Sequence, residues 1–345
     1  MESFWPTSGF SITPMIDKFG EDLLSVVKGS LFQWDLAADA GIDLITISEN
    51  ATFLVDTGQQ QRIVRIYRPN YHTNSEILSE LFWLQAIEQS GIVSVPHLFT
   101  SRSGQLFIES GSLRLACFSF MEGHEPYPDN DLVRWFKVLG TISAKLHCQS
   151  RGWEKPQGFT RKHWTYETMI GKNAYWGHWQ KAGGLSSTDL EILELCDKTL
   201  KSVTSKFPID NAHYGLIHGD LRLANLLLDD ESLGAIDFDD CGFSWFGLDL
   251  ANSLSFIEDN PLIADFIEAW FQGYSAVLPV PEVMKEMVPH LIMMRRMQLT
   301  AWLESHNATP TAEALRKHYP KGTVKLACRY LEKFNPHFAR SKQHP

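Results

Sequence analysis

The sequence predicts an α+β chain in two lobes, a small antiparallel-sheet lobe followed by a larger, mostly helical one. Three observations carry this expectation. The 345 residues exceed the usual domain of about 100–200 residues. Strand-like pairs of segments come early, whereas 3.6-residue periodicities dominate later. Between them the composition breaks at Glu122–Asp129, EGHEPYPD, which holds two prolines, a glycine and a cluster of acids. The expected lobes are therefore residues 1–121 and 122–345.

In the first lobe, Ile16, Phe19, Leu23, Leu24 and Val27 stand at helical spacing, with Gly29 as the stop. Ala51–Asp56 and Arg62–Tyr67 read as a strand hairpin around TGQQQ. Thr73 or Asn74 caps a helix that carries Ile77, Leu78, Leu81, Trp83, Leu84 and Ile87 and ends at Gly91. Gln105–Glu109 and Leu113–Phe120 form a second hairpin. In the second lobe, Leu132–Gln149 and Thr188–Phe207 are helices, the latter with acids in its first turn and lysines near its end. Short strands are expected at Gly215–His218, Leu226–Asp229 and Gly234–Phe238. Helices follow at 247–257, 262–274, 282–305, 310–318 and 322–334.

Composition narrows the function. Hydrophobic residues make up 44% and charged residues 21%, with 21 Phe and 11 Trp, enough for a large core. The net charge is −10, with 7 basic and 13 acidic residues up to Phe120 and 24 and 28 beyond, so the acidity is shared rather than a tail. No basic face is available for nucleic acid or for anionic membrane surfaces. The five cysteines are scattered without a C-x-x-C, which argues against a disulfide framework and fits a reducing cytoplasm. The start MESFWPTSGF has no signal-peptide character. The apolar run Leu291–Met294 is cut by Arg295 and Arg296, far short of a membrane span.

The densest polar cluster is His218-Gly-Asp220-Leu-Arg-Leu-Ala-Asn225, followed by Ile236-Asp237-Phe-Asp239-Asp240. Each half ends an apolar run, where carboxylates are held rigidly at the rim of a core. Phosphoryl transfer requires a carboxylate to take a hydroxyl proton and oxygen ligands for Mg²⁺ on the ATP phosphates. Kinases supply these from H-R-D-x-x-x-x-N and D-F-G; this chain has H-G-D-x-x-x-x-N and D-F-D at comparable spacing.

On these motifs, with Gly247-Leu-Asp249-Leu-Ala251 after them and Leu139-Gly-Thr-Ile-Ser-Ala-Lys-Leu-His147 before them, the chain resembles the aminoglycoside phosphotransferase, choline kinase and type II homoserine kinase group. Within it the chain is most similar to the bacterial stress-response Ser/Thr kinases. The resemblance implies a two-lobed protein-kinase-like fold, ATP as co-substrate and Mg²⁺ as cofactor. Asp220 would be the catalytic residue, Asn225 and Asp237 the metal ligands, and His218, Asp239 and Asp249 their support. Val64-Arg65-Ile66-Tyr67 matches the strand that normally presents a phosphate-binding Lys, which puts Arg65 in that role, with Glu80 as its partner and Glu76 as a weaker one. Ser48, Glu49 and Asn50 match the turn over the phosphates, and Ser119, Phe120 and Met121 the hinge that holds adenine. The acceptor hydroxyl is either a protein Ser/Thr or a small amino alcohol or sugar.

Bland readings compete with each of these. Asp after Gly often only forms a turn, Arg65 can be a solvated strand residue, and tryptophans such as Trp164, Trp176 and Trp179 are more often core than a substrate cage. The 13 histidines form no H-x-x-x-H pair for zinc. Two whole-chain alternatives stand beside the kinase: a catalytically silent kinase-fold binding module, which normally lacks the base or metal Asp, and a D-x-D phosphohydrolase, whose motif normally lies near the N-terminus.

Overall fold

The computed structural model describes residues 22–47, 50–126, 131–229, 232–307 and 309–341. Helix α1 (Leu23–Ser30) is capped by the Asp22 carboxylate on the Ser25 N–H and runs on into a 3₁₀ turn, Leu31–Trp34. It passes the expected stop at Gly29 because Leu31 and Trp34 bury against the sheet; Ile16 and Phe19 lie outside the described residues. The sheet contains β1 (Gly41–Ile47), β2 (Ala51–Asp56), β3 (Gln61–Ile66), β4 (Leu98–Phe99), β5 (Ile108–Ser110) and β6 (Leu113–Ser119). Its order is β1-β2-β3-β6-β4, with β5 also on β6, and every pairing is antiparallel. The sequence reading has no counterpart of β1 or β4. β1 is mostly exposed, Ile45 at 53%, so it shows no buried face to find.

Strand alternation assigns the two faces of this sheet. Val64, Ile66, Leu113, Leu115 and Cys117 join α1 in one small core. Ile63, Ala116 and Phe118 look the other way, towards α2 (Asn74–Ser90). Arg65 is on that second face by the same alternation. Thr73, not Asn74, caps α2, in a capping box with Glu76, and Gly91 ends it in a left-handed turn at φ 63°.

The second part is built on α3 (Leu132–Gly152), α5 (Ser187–Thr204), α7 (Ile263–Ser275), α8 (Glu282–Ser305) and α10 (Tyr319–Phe334), with shorter helices α4 (Tyr166–Met169), α6 (Gly247–Ser253), α9 (Pro310–Leu315) and α11 (Pro336–Ser341). α3 and α7 approach so closely that a Cβ on Gly273 would sit 1.8 Å from the Lys137 carbonyl oxygen. Two small ribbons frame the polar cluster: β7 (Tyr214–Ile217) pairs with β10 (Gly242–Trp245), and β8 (Leu226–Asp229) with β9 (Ser232–Ala235). The strand expected at Gly234–Phe238 stops at Ala235. There the Ile236 N–H turns to the Asn225 carbonyl (3.0 Å) and Asp237 adopts φ 64°. Helix α6 stops at Ser253, short of the expected 257, and α10 starts three residues early at Tyr319.

Candidate active site

β7 delivers the chain into His218-Gly219-Asp220, and a buried carboxylate at the start of α6 fixes the turn. Asp249 accepts the N–H groups of His218 (3.2 Å) and Gly219 (3.0 Å) and a ring nitrogen of His147 (3.0 Å). Burial opposes its ionisation, but these donors hold its pKa below the ordinary carboxylate value. Gly219 sits at φ 86°, and a Cβ there would lie 2.2 Å from the Asp240 carbonyl oxygen, so only glycine fits. Burial also pushes the His218 imidazole down, against the pull of Asp249. His218 Nε2 faces the Ile236 carbonyl at 3.1 Å, and its Nδ1 receives the Asp220 N–H at 3.3 Å. It braces the loop.

The Asp220 carboxylate is held from three sides. Its Oδ2 accepts from Arg222 Nε (3.0 Å) and Asn225 Nδ2 (3.0 Å), and its Oδ1 from Arg295 Nη2 (2.8 Å). Asn225 follows in a 3₁₀ turn, Leu223–Asn225, and also donates to the Asp220 carbonyl (2.8 Å). Its NH₂ is thus committed, and the amide oxygen remains as a ligand atom.

Asp237 stands across the cleft floor, its Oδ1 3.7 Å from Arg65 Nη1. Its side chain is 50% exposed to the open cleft but ringed by protein charge. Burial and the neighbouring Asp239 push its pKa up to about 7, with Arg65 opposing. Asn225 and Asp237 together offer hard oxygen donors, the set a divalent cation such as Mg²⁺ takes.

Arg65 is 8% exposed, pairs with Glu80 of α2 and donates to Tyr67 Oη (2.7 Å). Burial disfavours its charge, yet Glu80, Tyr67, Asp239 and Asp237 outweigh that and hold the guanidinium pKa well above its ordinary value. Glu76, the weaker candidate, caps α2 instead and pairs with Lys162 at 3.3 Å. Asp239 is buried at the edge of the cleft beside His72, Arg65 and Arg161. Burial works against its charge, but these groups keep it below the usual carboxylate range. Burial leaves His72 itself lowered, so the two guanidinium groups carry the compensation. His72, Asp239 and Asp240 offer ligand atoms within 4.8 Å of one another, but Arg161 and Lys162 already supply positive charge there.

Arg65, Glu80, Asp220, Asn225, Asp237 and Asp239 border one cleft of about 880 Å³. Its roof is β1, β2 and Asn50, whose Oδ1 accepts the Arg68 N–H at 3.0 Å. Ser48 and Glu49 lie outside the described residues. Ser119, Phe120 and Met121 form one wall, where the Ser119 N–H is held by the His97 carbonyl at 2.8 Å. The opposite end, beyond Asp220, is walled by Trp176, Phe256, Trp302, Arg222 and Arg295. The sequence reading missed Arg222 and Arg295. For Arg295 a signal existed: two arginines inside an apolar helical run need buried partners.

A cleft between a small antiparallel sheet and a helical part, with carboxylates, an amide and a buried Arg–Glu pair converging on it, defines a kinase-type phosphotransferase. The family model of the phosphotransferase enzyme family (APH) matches residues 45–286, and the chain belongs to this family. It is an ATP-dependent kinase acting on an alcohol group. Among solved structures it is similar to a microcompartment-associated aminopropanol kinase, at 34% identity and TM-score 0.83, covering 91% of this chain and 99% of that one. Amicoumacin kinase of Bacillus subtilis (strain 168) is 21% identical over 266 residues, 72% of this chain and 76% of the relative. Amicoumacin kinase hAmiN, solved with AMP-PNP, Ca²⁺ and Ami, shares the fold at TM-score 0.74 and 20% identity, covering 90% of this chain and 95% of that one. Among the described residues, no helix is long and apolar enough to cross a membrane.

Proposed function

We propose that the chain phosphorylates the hydroxyl of a small amino alcohol, with Mg²⁺-ATP in the cleft between lobes that meet at Met121 and Glu122. The observation that carries this is the convergence of Asp220, Asn225, Asp237 and the Arg65–Glu80 pair on one cleft. The 34% identity to an aminopropanol kinase across nearly the whole of both chains supports a small amino alcohol over a protein Ser/Thr. Asp220 accepts a hydrogen bond from the acceptor hydroxyl, aligns it and takes its proton. Arg65, kept charged and oriented by Glu80, binds the α- and β-phosphates with two N–H groups. Ser119 to Met121 present backbone to adenine, and Ser48 to Asn50 cover the phosphates. Asn225 and Asp237 would hold Mg²⁺, which would supply positive charge to offset that of the ATP phosphates. Asp249 and His218 keep the loop in register, and Asp239 fixes the Arg65 side of the floor. Orientation in a water-poor cleft supplies much of the rest of the rate.

The test is ATP consumption with Mg²⁺ over a panel of amino alcohols, choline, aminoglycosides and generic protein substrates. Turnover confined to small amino alcohols is expected. Turnover on the protein substrates alone would move the acceptor to Ser/Thr, and no transfer to any acceptor with intact ATP binding would favour a silent binding module.

A further inference from the structure

We infer that Arg295 is a positioning residue for Asp220, the device that sets which lone pair of the carboxylate meets the acceptor; this rests on the reading of Asp220 given above. Arg295 lies on α8, far along the chain from the 218–240 cluster, and is only 3% exposed. Every nitrogen of its guanidinium is committed: Nε to Ser255 Oγ (3.0 Å), Nη1 to Gln298 Oε1 (3.1 Å) and Nη2 to Asp220 Oδ1 (2.8 Å). Its plane is further held near the ring of Trp176, 4.9 Å from the centroid. A guanidinium fixed at three corners is a rigid template, because its N–H vectors diverge at set angles.

A carboxylate has about four lone-pair positions. Arg222 and Asn225 take two on Oδ2 and Arg295 takes one on Oδ1. One position on Oδ1 remains, and it is directed by the Arg295 contact. Without Arg295 the carboxylate stays tethered through Oδ2 but rotates about that tether. A misplacement of about 1 Å at a reacting group is enough to cost on the order of 100-fold in rate. The same helix face continues with Leu299 and Trp302, both on the cleft wall and four and seven residues on, which is one stripe of a helix. α8 therefore sets both the acceptor wall and the orientation of the group that receives the acceptor proton.

The experiment pairs steady-state kinetics with crystallography. Arg295→Met is expected to lower kcat by about 10- to 100-fold with the KM for Mg-ATP within about twofold of wild type. Arg295→Lys should recover part of the loss, since it restores one charged donor. In the Asp220→Asn background, Arg295→Met should add almost nothing, because the two residues act as one unit. A purely structural Arg295 would instead give an additive loss in both backgrounds, raise the KM for ATP or show no rescue by Lys, and any of these overturns the inference. The crystal structure of Arg295→Met reads the same claim without activity. A rotated Asp220 carboxylate with Arg222 and Asn225 still bound is expected, and an unmoved carboxylate overturns it. Absence of turnover in the wild type would count against the proposed function alone, since the crystallographic arm stands apart from it.

Discussion

Two buried arginine–carboxylate pairs, Arg65–Glu80 and Arg296–Glu258, look alike in burial and differ in completeness. Arg296 donates through Nε to Thr323 Oγ1 (2.9 Å), through Nη1 to Glu258 (2.7 Å) and through Nη2 to the Tyr319 carbonyl (3.0 Å), and Tyr319 Oη closes the second oxygen of Glu258 (2.7 Å). In the Arg65 pair, by contrast, Arg65 Nε and Glu80 Oε2 are buried without a partner, and Nη1 has only the long contact to Asp237. A saturated pair fastens helices together; α10 is tied to α8 this way. In the unsaturated pair it is the guanidinium N–H groups of Arg65, not the Glu80 oxygen, that keep donor capacity of the kind a phosphate oxygen accepts.

The largest expected effect tests the saturated pair. Arg296→Met strands Glu258, 0% exposed at its side chain, and should lower the unfolding free energy by about 3–5 kcal/mol in urea titration, with Mg-ATP still raising Tm. A loss below about 1 kcal/mol would remove the contrast between the pairs. Next comes the cluster the unsaturated pair serves. Asp220→Asn should cut turnover by about 100-fold or more while calorimetric Mg-ATP affinity stays near wild type. Asp237→Asn should lose both, since it removes the charge of the proposed metal ligand. An active Asp220→Asn would end this assignment.

The Arg65 pair itself gives a smaller effect. Arg65→Met should weaken Mg-ATP binding by about 100-fold, the order expected for two charge-assisted hydrogen bonds, and Arg65→Lys should retain much of it. The double change Arg65→Met with Glu80→Met removes the stranded charge, so stability should return while the ATP-dependent rise in Tm does not. If that rise persists, the phosphates are held elsewhere.

The smallest effect concerns Asp237 without metal. Its pKa in the fold, about 7, lies above its ordinary 3.8, so the folded chain holds this proton more tightly than the unfolded one. Its contribution therefore favours the fold most at low pH and is lost as pH rises towards 7. Asp237→Asn removes that dependence. With chelator present, its Tm should exceed the wild-type value at pH 8 by on the order of 1–3 °C, a modest gain because the side chain is half exposed, and the difference should vanish near pH 4. A variant less stable than wild type at pH 8 would show that Asp237 is satisfied in the free protein.

What was legible in the sequence follows from how local each signal is. The motifs between His218 and Asp249 are contiguous in sequence, so they could be found by their spacing and their family resemblance together. Arg65 meeting Glu80 was legible through the family resemblance of the strand Val64–Tyr67, with strand alternation placing Arg65 on the face towards α2. β1 was not, since an exposed edge strand over a cleft buries almost nothing. For Arg295 the need of a buried partner was legible but the partner was not, since Asp220 lies 75 residues away and the contact depends on how α8 packs. The break at Ala235 was hidden too, because a left-handed Asp237 is a tertiary outcome that local propensity argues against.

Helix α2 belongs to the first part of the chain in sequence, yet Ile77, Leu81, Trp83, Leu84 and Ile87 belong to the core that holds Phe136, Leu139 and Trp270. Polar ties point the same way. Trp83 Nε1 donates to Gln149 Oε1 (2.9 Å), Thr160 N–H to Ser79 Oγ (2.9 Å) and Arg161 to the Glu76 carbonyl (2.9 Å). Kinases that switch by swinging this helix need it free to leave. Here withdrawal would open the main core and break these ties together, a cost that opposes moving Glu80. A helix so anchored is a fixed support for Glu80, built into the core of the helical part rather than hung on the sheet.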